Sequence, residues 1–95
     1  MAAKRERLSD GEIIEALRDL DGWQRQGDAL CRQFRFANFR AAFGFMAQVA
    51  LIAETLDHHP EWSNVYDRVD VAITTHDRGG ITGLDVEFAR RVNAI

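Results

Sequence analysis

The chain has 95 residues, 46% of them hydrophobic and 28% charged, with a formal net charge of -3 and one cysteine. That length holds one domain whose small core would gain from self-association, and the acidic balance disfavours direct binding to a nucleic-acid backbone. Cys31 alone excludes a disulfide framework and multi-cysteine zinc motifs, no apolar run reaches the ~18 residues of a membrane span, and the polar start lacks a signal peptide; a cytoplasmic protein is expected.

In chain order, residues 1–7 with the run Lys4-Arg5-Glu6-Arg7 read as a flexible basic tail, and residues 8–95 as one domain. Ser9 and Glu12 form a capping box for a first helix over 10–20, carried by Ile13, Ile14, Ala16, Leu17 and Leu20. Asp21-Gly22 ends it, and 23–26 and 29–37 read as a hairpin around Gly27-Asp28. In its second strand Leu30, Phe34 and Phe36 share an apolar face that Arg32 interrupts.

Asn38 caps a long helix to about residue 57 with two apolar stripes. Phe39, Phe43, Met46, Ala50 and Ala53 form one; Phe45, Val49, Ile52 and Leu56 form the other. One stripe packs on the sheet, and the second faces another helix or a neighbouring subunit. Pro60 ends the helix by lacking an N–H and turning His59 out of it. Period two returns over 64–76, long enough for one bent strand or two joined strands. A turn at 77–80 leads to a last helix capped by Thr82 and Asp85. The class is α+β, with helices on one face of an antiparallel sheet in the order α-β-β-α-β-α; if 64–76 is two strands, the sheet is four-stranded and the order is α-β-β-α-β-β-α.

All three histidines, His58, His59 and His76, fall where regular structure stops. Isolated histidines near helix ends are commonly caps, so grouping is what favours a functional role. With His58 in the last helical turn, the negative end of the helix dipole and Glu54 one turn earlier both favour its protonated form, which suits a general acid. His59, extended before Pro60, points elsewhere, so one imidazole can act while the other binds. Adjacent histidines share neither a helix nor a strand face, which disfavours a metal; a three-histidine catalytic site stays open if His76 folds back. Trp62 and Tyr66 flank the pair as an aromatic wall or as core.

Glu54-x-x-x-His58-His59-Pro60, with Tyr66, His76 and Asp85 following, resembles the signature of the pterin-4a-carbinolamine dehydratases. The likeness extends over residues 8 to 93, through "GWQRQGDALCRQFRFANFRAAFGFMAQVALIAE" and "HHPEWSNVYDRVDVAITTHDRGGITGLD". It implies dehydration of a 4a-hydroxytetrahydropterin to the quinonoid dihydropterin by histidine acid–base catalysis, without metal or cofactor. It also implies a dimer or tetramer, in pterin recycling beside an aromatic amino-acid hydroxylase or in a molybdopterin-related role. His58 and His76 would be the acid–base pair and His59 chiefly a binding residue. Pro60 and the segment Thr75-His76-Asp77-Arg78 would line the pocket, Trp62 would close it, and Glu54, Asp57 and Asp85 would orient the imidazoles. Leu84 departs from relatives that carry arginine before the aspartate. The alternative is a protein-binding module, since relatives serve as dimerisation cofactor of a transcription factor or resemble Rubisco assembly factors.

Overall fold

A computed structural model describes residues 5–95. Helix α1 (Asp10–Leu17) precedes the hairpin β1 (Gln24–Gln26) and β2 (Ala29–Arg35). Helix α2 (Phe39–Leu56), strands β3 (Glu61–Val65) and β4 (Arg68–Ile73), a 3-10 turn at His76–Arg78 and helix α3 (Gly83–Asn93) complete the chain. All pairings are antiparallel, in the order β1-β2-β4-β3. The α+β class and the element order are those expected from the sequence.

Both capping boxes form, Ser9 with Glu12 on α1 and Thr82 with Asp85 on α3. Helix α1 is shorter than expected because Arg18, Asp19 and Leu20 bond back three residues instead of four, tightening the chain into the turn at Gly22. The 64–76 segment is not one bent strand. β3 starts at Glu61, and Tyr66 at φ 51 with Asp67 makes a tight turn into β4, stitched by Asn64 Nδ2 donating to the carbonyls of Tyr66 and Arg68. The turn resets the alternation, so Val65 is exposed while Val69, Val71 and Ile73 are buried.

The core lies between the sheet and the helices, where Leu30, Val69, Val71 and Ile73 meet Ala42, Phe45, Val49, Ala53, Phe88, Ala89 and Val92. The two stripes of α2 are divided differently from the expectation. Met46 and Ala53 turn inward with the second stripe, whereas Phe39 and Phe43 stay 49% and 59% exposed. By length and composition α2 is also long and apolar enough to cross a membrane, although Arg40, Gln48 and Glu54 interrupt its apolar run; in this fold its buried side packs on the sheet and α3.

Arg32, the exception on the apolar face of β2, has a built place. Its guanidinium lies 4.4 Å over the Phe34 ring and donates to the Asp21 carbonyl and to Asn93 Oδ1. Asn93 Oδ1 also accepts from Trp23 Nε1 at 2.8 Å, and Asn93 Nδ2 donates to Asp21 O. One side chain thus ties the end of α3 to β2 and the α1–β1 turn. Asn93→Ala is expected to cost about 1–3 kcal/mol, because the buried Trp23 N–H loses its partner. Urea denaturation, with an unchanged m-value, checks this.

Residues 1–4 of the expected tail lie outside the described residues, and residues 5–7 are docked rather than free. Arg5 pairs with Asp77 at 2.6 Å, Arg7 bridges to Thr82 as an antiparallel partner, and Leu8 N–H donates to Ile81 O.

Candidate active site

The end of α2 decides where the first two histidines go. Asp57 adopts φ 49, ψ 47, and the N–H groups of Asp57 and His58 bond back to Glu54 and Ala53. This is a left-handed cap with Schellman-type bonding. The chain therefore leaves the helix at Asp57, three residues before Pro60 could act, and Pro60 only leads into edge strand β3. His58 is outside the helix, so the expectation that it shares a face with Glu54 is corrected. Glu54 instead meets His59, at 2.7 Å from its Nε2.

His58 turns into the protein, 8% exposed, with Nε2 2.5 Å from Asp85 Oδ1. Asp85 is fully buried in the first turn of α3. Its Oδ2 accepts from Thr75 Oγ1 at 2.9 Å and from Thr82 N–H at 2.8 Å. Since Thr75 donates to Asp85, its oxygen accepts from the Thr82 hydroxyl at 2.8 Å, and Thr82 Oγ1 accepts from Leu84 N–H. Every group around the carboxylate is then satisfied when His58 Nε2 carries a proton. That leaves His58 Nδ1 as the ring atom without a partner among the described residues.

His76 opens the 3-10 turn after β4, its side chain 77% exposed, with Nε2 3.1 Å from Glu61 Oε1. The turn closes on itself through Thr75 and Gly80, which exchange backbone bonds. Thr75 hydrogen-bonds the aspartate that holds His58 and precedes His76, while Glu61 holds His76 and begins the strand just after His58, His59 and Pro60. Each imidazole has its own carboxylate at Nε2: His58 with Asp85, His59 with Glu54, His76 with Glu61. No group of three or more side chains able to hold a metal ion occurs among the described residues.

Several expected site residues take other places. Thr75 is buried, with its hydroxyl committed to Asp85 and Thr82, so it braces the site instead of lining a pocket. Asp57 caps the helix and hydrogen-bonds none of the histidines through its side chain. Trp62 packs half-buried against the core, opposite Val71. Tyr66, at the far end of a five-residue strand, is about 16 Å from the histidine end and builds no wall there. Asp77 is held by Arg5, whose hydrogen bond keeps that carboxyl below the ordinary range. Arg78 is exposed, and Leu84, just before Asp85, is buried. Glu61 was missed as a partner of His76. It follows Pro60 directly in the chain, but the turn that brings His76 back to it is tertiary.

A concavity of about 290 Å³ lies against the His76 turn, lined by Asp28, Ala29, Thr74, His76, Gly79 and Gly80. A larger hollow, about 670 Å³, is a shallow depression on the open face of the sheet that includes Glu61 but no histidine. Of the three imidazoles only His76 borders the first, and its partner Glu61 borders the second.

Over residues 6–95 the chain matches the family model described as pterin 4 alpha carbinolamine dehydratase. It is 57% identical over 93 residues to proteins of Brucella ovis and Brucella canis that carry the name pterin-4-alpha-carbinolamine dehydratase as a provisional assignment, the match covering 96% of each chain. It is also similar to a Brucella melitensis crystal structure described as a transcriptional coactivator/pterin dehydratase, with TM-score 0.91 and 56% identity over 94% of this chain and 97% of that one. With the motif, the fold and nearly the whole length in agreement, the chain belongs to the pterin-4a-carbinolamine dehydratase family.

Proposed function

We propose that the protein dehydrates 4a-hydroxytetrahydropterins by histidine acid–base catalysis, a lyase of tetrahydropterin recycling working in the cytoplasm. The observation that carries this beyond family membership is the set of three imidazoles, each held at Nε2 by its own carboxylate. In the reaction the N5 lone pair forms the N5=C4a bond as the C4a–O bond breaks. One group protonates the departing hydroxyl to give water, and another takes a proton from the ring. His58, with Nδ1 unpartnered and Asp85 behind it, suits the acceptor, as in a carboxylate–imidazole pair that stabilises the imidazolium when it forms. Exposed His76 suits the donor, because bulk water can recharge it. The Glu54 contact that would favour His58 as the acid goes to His59 instead. His59, beside Glu54, binds the substrate. Acid and base exchange one proton per turnover and water resets both, so the balance needs no other reactant.

The test is the rate of disappearance of freshly generated 4a-hydroxytetrahydropterin. Wild-type protein is expected to accelerate it well above buffer; a rate equal to buffer would overturn the enzyme reading. A second role in protein binding is favoured by the coactivator description of the Brucella melitensis structure. Self-association as a dimer or tetramer fits Phe39, Phe43 and Leu51, which leave an apolar side of α2 open. Sedimentation at micromolar concentration decides between that assembly and a monomer.

A further inference from the structure

We propose that Arg5–Leu8 form a strap that holds the His76 turn in its working conformation, with Arg5 as a positioning residue acting through Asp77. Two side-chain tethers hold the tip of this turn. His76 reaches Glu61 of β3 at 3.1 Å, and Asp77 accepts from Arg5 Nη2 at 2.6 Å. The strap itself is fixed at its other end by the Leu8 N–H bond to Ile81 O at 2.9 Å and by the pairing of Arg7 with Thr82. Arg7 also lies across Gly80, where a methyl group would come within 3.0 Å of its Nε. The base of the turn is thereby clamped from the chain's start, while Thr75 and Thr82 clamp it from the Asp85 network inside.

Arg5 touches none of the three imidazoles' carboxylates, so its effect is on the population of the ordered turn. If the turn is ordered only part of the time, substrate must select the ordered fraction. KM then rises by the inverse of that fraction, and kcat at saturation is unchanged. An exposed ion pair of this kind changes such a population by about two- to fivefold.

The experiment compares wild type, Arg5→Ala and Arg5→Lys by amide hydrogen exchange at Arg78, Gly79 and Gly80, whose N–H groups are bonded within the turn, and by steady-state kinetics. Arg5→Ala is expected to exchange about two- to fivefold faster at these amides and to raise KM by a similar factor with kcat unchanged, and Arg5→Lys to restore both. Wild-type exchange in Arg5→Ala overturns the strap. Faster exchange with unchanged KM overturns its positioning role. The kinetic arm rests on the dehydratase reading; should wild type show no dehydratase activity, that reading fails while the exchange arm still decides the strap.

Discussion

Asp85→Asn is expected to lower the dehydration rate by about 10²- to 10⁴-fold, the range spanned by positioned proton transfer. Asp85 Oδ2 accepts two bonds, from Thr75 Oγ1 and Thr82 N–H, and Oδ1 accepts one from His58. Asparagine has one oxygen, which the two donors on the Oδ2 side claim. Its NH₂ group then faces His58 and, being a donor, turns Nε2 into an acceptor. The ring proton moves to Nδ1, the atom the reaction needs free. Nitrogen-15 NMR is expected to report the Nε2–H tautomer of neutral His58 in wild type and Nδ1–H in the variant. His58→Ala is expected to lose as much activity, and the double variant no more than either, since the pair acts as a unit. Full turnover in Asp85→Asn would show that this hydrogen bond does not govern the chemistry.

The largest stability effect is expected at Phe88→Ala, about 3–5 kcal/mol. Phe88 is fully buried in α3, and its ring meets Trp23 edge-on with centroids 6.5 Å apart. Backbone from three sides limits collapse around it: α3 itself, the β4 strand and the α1–β1 turn that Asn93 ties down. Domains of this size hold only about 5–15 kcal/mol in total, so the variant is expected to lose on the order of 20 °C in Tm. A thermal melt followed by circular dichroism checks it. A loss under about 1 kcal/mol would mean that the neighbouring side chains refill the space.

The histidine motif was legible because residue types at fixed spacing are a property of the chain, and so was the fold class, because apolar periods of 3.6 and 2 are. What the spacing concealed was which carboxylate serves which imidazole. Glu54 is four residues from His58, and a continued helix would join them. Asp57 instead takes a left-handed conformation that local pattern does not announce for a non-glycine residue, and the joined pair becomes Glu54 with His59. A similar limit hid β3: Glu61-Trp62-Ser63 has no apolar alternation of its own, and it is a strand because β4 supplies its bonds.

Thus the sequence by itself determined the α+β class, the element order, both capping boxes and the three histidines, all set by local bonding and by hydrophobic period. Only the tertiary structure decided the partners. His58 and Asp85, His76 and Glu61, and Arg5 and Asp77 are separated by 27, 15 and 72 positions. Such pairs depend on which ends of helices and strands the packed core brings together, and no local pattern records that.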